Sequence, residues 1–427
     1  MATRLNRRTV LAAGAGAVGL SLPGVSAYAD DRRDISVRFT LNAQVLDGGE
    51  QVTSITIGTG RLGPVDPAGL TTGTFGVHAK ATSPFPVPAG DSLSGEYDLD
   101  RTVTAVRLDR HGDIVLELSH GEGRTGGGTL GYLAREGRNV MLDLTYTLTQ
   151  RAPIVLRDHR SVVIKNFVQN PRLSDPEVDA FSHHVSGSGM KYRLYSPAAD
   201  TRPHRSGRDG RPLIVWLHGG GEGASLPNGY YDNETTLRAN RGALGFATPQ
   251  AQRIFDGAYV VAPQSTSYWM EDGPRFAPLI REIIDEVVRR HRIDRDRIYV
   301  AGCSNGGYMS MKMTTVYPTL FAASVPVCGV VASFPVGAPP LIPDSELARI
   351  TTPTWLVTSA DDTTVDPRAN TVHAHEVIPG SLLTLYDHVI WNGHQFLGHF
   401  SWIYVARNDP SDHGTHLWQW MASKHRR

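Results

Sequence analysis

Arg297-Ile298-Tyr299-Val300-Ala301-Gly302-Cys303-Ser304-Asn305-Gly306-Gly307 decides the reading of this chain: an apolar strand ends on a serine flanked by glycines. The residues that follow, Gly307 to Tyr317, read as a helix. A strand turning at once into a helix holds its serine on a strained corner, the geometry of a nucleophile elbow. The flanking positions must be small because a side chain would collide across the turn. In a chain with 44 glycines the glycine–serine pattern alone means little. Its place at a strand-to-helix junction gives it weight.

Outward from this point the pattern is regular. Apolar runs at Leu213 to Leu217, Ala258 to Ala262, Ile298 to Ala301, Ala323 to Val327 and Thr354 to Thr358 alternate with segments long enough for helices. Strands buried on both faces read as continuous apolar runs, so a largely parallel sheet flanked by helices is expected, an α/β class. Ile280 to His291 is the clearest helix, with Ile280, Ile283, Ile284 and Val287 at helical spacing. A polar stretch, Thr201 to Arg211, is expected to be an exposed loop.

Before this region the chain alternates in short runs: Ser36 to Leu41, Thr102 to Leu108 and Val140 to Tyr146, separated by turn-rich clusters such as Gly126-Gly127-Gly128. These read as antiparallel strands of a small β-sandwich. Residues 1–29 read as an export signal. Arg4, Arg7 and Arg8 precede the apolar stretch Val10 to Leu22, and Ala27-Tyr28-Ala29 suits cleavage. The pair Arg7-Arg8 matches the twin-arginine pattern. The expected division is residues 1–29 as signal, 30–165 as sandwich and 175–427 as the α/β domain.

The 427 residues carry 42 basic and 42 acidic side chains. Removal of residues 1–29 takes three arginines and no acid, leaving 39 against 42 and a net of −3. Nothing in this balance implies a nucleic-acid partner, and no later segment approaches membrane-spanning length. Two cysteines, Cys303 and Cys328, are too few for a disulfide framework. One bridge and two buried thiols both remain open.

A serine hydroxyl needs a base to become a nucleophile, and the base needs a carboxylate to orient it. The strand Trp355 to Ser359 leads into Asp361 and Asp362, where an acid loop is expected. Asp362 lies further into the loop and is taken as the acid. Position leaves His394 and His399 as candidate bases, between the strand expected at Leu382 to Tyr386 and the helix at Thr415 to Ser423. Leu217-His218-Gly219-Gly220-Gly221-Glu222-Gly223 follows an early strand, and its glycines let backbone amides face a developing oxyanion. Gly220 or Gly221 and Asn305 are the expected amide donors, with His218 and Glu222 bracing the loop. A phosphate-binding reading fails because no Gly-Lys-Ser/Thr follows. Neither His218 with Glu222 nor His413 with His416 brings a third and fourth metal ligand, so no metal and no cofactor is expected. Tyr268, Trp269, Trp391 and Trp402 stand in loops on the catalytic side, and Trp269 and Trp402 are expected to line a substrate pocket.

Taken together, these stretches resemble secreted bacterial α/β-hydrolase esterases with an N-terminal immunoglobulin-like domain, similar to polyhydroxybutyrate depolymerase-like and feruloyl esterases and more distantly to prolyl oligopeptidases. The resemblance runs from about Gly189 to Met421. It rests on Gly189 to Pro197, the loop His218 to Gly223, the elbow with Tyr317 to Gly329, and Gly398-His399-Phe400-Ser401-Trp402. The last stretch resembles that family's histidine-x-x-tryptophan pattern, which favours His399 over His394. Asp362 matches the family's acid. The resemblance implies ester hydrolysis of a small or polymeric substrate by a Ser304, His399 and Asp362 triad. A peptidase and a non-catalytic binding protein on the same scaffold are the competing readings. The chain departs from the family in reading Gly-Gly-Gly-Glu-Gly where many relatives have Gly-Ala-Gly-Glu-Arg. It also carries an insert, Ala224 to Gln252, that could shape the pocket entrance.

Overall fold

Eight strands build the sheet that carries the serine. Numbered first to eighth in chain order they are Phe181–Val185, Lys191–Tyr195, Arg211–Leu217, Tyr259–Pro263, Ile293–Cys303, Ala323–Val327, Trp355–Ser359 and Leu382–Tyr386. Their order in space is 1-2-4-3-5-6-7-8. The second strand pairs antiparallel with both neighbours, and every pairing beyond it is parallel. Side chains alternate faces along a strand, and the two faces here feed separate cores. Ile214 and Trp216 join one, while Leu213, Val215 and Leu217 join the other. That double burial is why these strands read as unbroken apolar runs.

The computed structural model describes residues 35–198, 210–224, 226, 228–335 and 337–426. The expected export signal lies outside these residues, as do positions 201–209 of the polar loop expected at Thr201 to Arg211. Among the described residues no helix is long and apolar enough to cross a membrane.

The N-terminal strands form a five-stranded sheet and a three-stranded sheet over one core. Val37, Phe39, Ile55 and Leu116 from the first meet Phe75, Val77, Tyr146 and Leu148 from the second. The run Val140 to Tyr146, expected as one strand, divides at Leu142. Arg138–Met141 pairs with Leu130–Leu133, whereas Asp143–Gln150 joins Phe75–Thr82. The alternation continues through a change of sheet, so the pattern alone does not show the break.

One helix boundary moved. The helix expected from Ile280 begins at Gly273, with Asp272 accepting from the Arg275 amide as its N-cap and Pro278 inside it. Proline lacks an amide donor and reads as an interruption, which conceals the first turns. The insert Ala224 to Gln252 faces the N-terminal sheets. Leu226 packs with Leu133 and Val140, Tyr230 OH accepts from the Met141 amide at 2.8 Å, and Arg238 pairs with buried Glu50. Arg241 grips Glu177 at 2.7 Å through both terminal nitrogens and donates to the Val45 carbonyl.

Candidate active site

Ser304 sits between the strand Ile293–Cys303 and the helix Asn305–Val316 with φ 54° and ψ −114°. A positive φ costs a residue with a Cβ, and such strain persists only where surrounding structure over-determines it. The over-determination is visible at Gly306, where a Cβ would overlap the Leu217 carbonyl. At Gly302 a Cβ would stand 2.6 Å from that same oxygen. The strand Arg211–Leu217 therefore presses directly on the turn. The Ser304 side is half-buried, and its hydroxyl has no hydrogen-bond partner among the described residues.

His399 and Asp362 come together from separate loops. His399 Nδ1 lies 2.8 Å from Asp362 Oδ2, with side-chain exposures of 10% and 0%. The other carboxylate oxygen accepts from the Thr364 and Val365 amides, both at 2.9 Å. Asp361 turns elsewhere, bonded to Ser359 and, at 2.9 Å, to His388. His394 stands on a short ribbon against Gly123 of the N-terminal region, apart from Asp362.

Cys328 links this pair to the elbow. The Ser304 amide donates to the Val327 carbonyl at 2.8 Å, and the adjacent Cys328 thiol donates to the His399 carbonyl at 3.3 Å. Both cysteines are buried and unbridged. Burial works against the charged imidazole of His399, but the Cys328 sulfur and the Asp362 carboxylate outweigh it, so its pKa moves upward. The Cys328 thiol points its S–H at the His399 carbonyl, so the Asp362 carboxylate is the partner that holds the ring itself. Donor atoms of Cys328, Asp362 and His399 all lie within 4.8 Å of one another, the grouping among the described residues that could hold a cation. Since Asp362 already serves His399 and two amides, the group is arranged for proton handling.

The glycine loop lies beside the elbow. A Cβ at Gly219 would stand 3.7 Å from the Cys303 carbonyl, and one at Gly220 would stand 3.8 Å from the Asn305 side-chain nitrogen. His218 is buried beneath the loop and held to about 3 by desolvation, hence neutral. Its Nδ1 donates to the Gly219 carbonyl at 2.6 Å, leaving Nε2 to accept from the Ser265 amide at 3.0 Å. Glu222 is buried too, and desolvation pushes its pKa up to about 7. His218 thus holds the Gly219 carbonyl, while Glu222 Oε1 accepts from Asn139 at 3.4 Å and its Oε2 has no hydrogen-bond partner.

The expected tryptophans fare differently. Trp269 is fully buried: its Nε1 donates to the His218 carbonyl at 3.1 Å, and its ring packs on His218 and Phe276. It supports the loop from the core and does not line a pocket, a correction to the sequence expectation. Its loop does reach the catalytic side, but the ring turns inward because the His218 carbonyl offers its N–H a partner. Trp402 meets the His399 ring edge-to-face at 5.4 Å, and its Nε1 is buried without a partner. Sequence reasoning missed Arg138 and Asn139 of the N-terminal region, which contact the glycine loop. No local signal marks them, since their roles arise from contacts more than 80 residues away in sequence.

An eight-stranded 1-2-4-3-5-6-7-8 sheet with a serine on the turn after its fifth strand, and an acid and a histidine from later loops, defines the α/β-hydrolase fold. The particular likenesses agree. Residues 280–334 match the prolyl oligopeptidase family. The chain is 28% identical over 186 residues to the putative esterase NocK of Nocardia uniformis subsp. tsuyamanensis, covering 43% of this chain and 51% of that protein. It is 34% identical over 204 residues to poly(3-hydroxyalkanoate) depolymerase C of Paucimonas lemoignei, covering 44% and 40% respectively. The chain thus spans about half, or less, of the length of these curated relatives. The solved structure of a thermostable esterase superposes with a TM-score of 0.70 at 24% identity, covering 91% of this chain and 99% of that one. That likeness establishes the fold across both the N-terminal sheets and the α/β sheet.

Proposed function

We propose that this protein hydrolyses carboxylic esters through an acyl-enzyme on Ser304. The observation that carries the reading is the dry His399–Asp362 hydrogen bond beside a serine held at positive φ. Ser304 Oγ attacks the ester carbonyl while His399 Nε2 takes its proton and then returns it to the leaving alcohol. Asp362 holds Nδ1–H and stabilises the imidazolium. The amides of Asn305 and of Gly220 or Gly221 receive the oxyanion, each such donor contributing about 3 kcal/mol to the transition state. Water then repeats the sequence on the acyl-enzyme and frees the serine.

The substrate is an ester, small or polymeric, in keeping with the likeness to the putative esterase NocK and to the poly(3-hydroxyalkanoate) depolymerase. In this reading the N-terminal sandwich is immunoglobulin-like, and the twin-arginine stretch Arg7-Arg8 exports the chain for cleavage after Ala29. N-terminal sequencing of the secreted protein tests that point: a mature start away from Asp30 overturns it.

Hydrolysis of short acyl p-nitrophenyl esters by the full chain and by Ser304→Ala tests the main claim. A fall of roughly 10⁴-fold or more is expected, and activity surviving the substitution overturns it. The match of residues 280–334 supports a second reading, a serine peptidase. A proline-containing peptide cleaved in preference to the esters would establish it.

A further inference from the structure

The N-terminal sheets reach into the loop assigned to the oxyanion. Arg138, on the strand Arg138–Met141, is fully buried and donates from one terminal nitrogen to the Gly220 carbonyl at 2.7 Å and to the Gly137 carbonyl at 2.9 Å. Its guanidinium carbon lies 3.4 Å from the centre of the Tyr268 ring, whose hydroxyl donates to the Glu136 carbonyl at 2.8 Å. The adjacent Asn139 donates to Glu222 at 3.4 Å, and a Cβ on Gly221 would stand 2.7 Å from the Asn139 side-chain nitrogen.

The Gly220 carbonyl and the Gly221 amide are two ends of one peptide unit. In a trans peptide these groups point in opposite directions, so fixing the carbonyl also fixes the direction of the N–H. Three successive glycines have no Cβ to restrict such a unit, and the single helical turn Gly220–Glu222 has no side-chain cap to hold its start. Two of the guanidinium nitrogens, Nε and Nη2, have no hydrogen-bond partner, so the Tyr268 ring and the nearby Glu222 are what face the cation behind the loop. A buried charge-assisted bond of this kind polarises the peptide it holds, strengthening the N–H at its far end.

We propose that Arg138 is a positioning residue for ester hydrolysis: it sets the Gly220–Gly221 peptide so that the Gly221 N–H meets the developing oxyanion. The inference rests on the reading of Ser304 given above. It makes the small N-terminal sheet that carries Arg138, Leu93–Ser94 with Leu130–Leu133 and Arg138–Met141, part of the catalytic apparatus.

The test uses the full chain carrying Arg138→Met, with the working sites titrated by a covalent serine reagent. Per titrated site, kcat on a short acyl ester should fall about tenfold to a hundredfold with KM little changed. A boronic acid that forms a tetrahedral adduct should lose affinity by the same factor, and added guanidinium should restore part of kcat. A residue needed only for folding would lower the number of working sites and leave per-site kcat and inhibitor affinity unchanged. That result overturns the proposal. If Arg138→Met does not fold, Arg138→Gln is measured in the same way and judged by the same criterion. Loss of activity in Ser304→Ala beside unchanged Arg138 variants refutes this inference alone. Activity surviving in Ser304→Ala refutes the reading beneath it.

Discussion

Asp362 and His399, 37 positions apart in the chain, share a 2.8 Å hydrogen bond in which the carboxylate is completely shut off from solvent. Its second oxygen is occupied by two backbone amides, so the carboxylate cannot rotate to another partner. In Asp362→Asn the amide oxygen would keep those two bonds and turn the –NH₂ towards His399 Nδ1. The ring would then take the tautomer with its proton on Nε2 and could not accept one from Ser304. A fall in kcat of roughly 10⁴-fold is expected, and the acid limb of kcat/KM should move to lower pH because a group that raises the His399 pKa is gone. Asp361→Asn, at the neighbouring carboxylate bonded to Ser359 and His388, should stay near wild type. Equal losses in both variants would contradict the assignment.

Glu222 makes the stability depend on pH. Its pKa rises from 4.5 to about 7 because burial disfavours the charged form. Below pH 4.5 both folded and unfolded chains hold the proton. Between 4.5 and about 7 only the unfolded chain gives it up, so stability falls through this window and levels off above it. Glu222→Gln removes the effect. Relative to wild type it should gain up to about 3 kcal/mol at pH 8 over its value at pH 4. Urea unfolding at the two pH values measures this, and a difference independent of pH refutes it.

Trp269 supports the loop from the core. Trp269→Phe leaves the His218 carbonyl buried without its donor, a loss of about 1–3 kcal/mol in stability. The ratio of kcat/KM between acetyl and longer acyl esters should stay unchanged, because the ring lines no pocket. A change in that ratio with unaltered unfolding would restore Trp269 to the substrate pocket.

Much of the α/β half is legible because its signals are local. A strand buried on both faces is mostly apolar, and Leu213 to Leu217, Ala323 to Val327 and Thr354 to Thr358 mark strands to within a residue or two. The elbow is legible because Gly302 and Gly306 answer a steric demand made within a few residues. Trp269 misled because a loop residue's exposure depends on which partner its indole finds. The packing of the insert Ala224 to Gln252 against the N-terminal region was not legible, because its arginines are matched by Glu50 and Glu177, distant in sequence.

The sequence by itself determined the parallel sheet, the strained serine and the order of serine, acid and histidine, because backbone sterics and side-chain periodicity act over a few residues. Only the tertiary structure showed that Asp362 bonds to His399 while Asp361 turns to His388, and brought Arg138 to the glycine loop. Gly398, where a Cβ would stand 2.6 Å from the Asp361 backbone, packs closely enough to carry His399 to Asp362. Which charge becomes dry, and which carbonyl a buried arginine holds, depends on surfaces that meet only when the chain has folded.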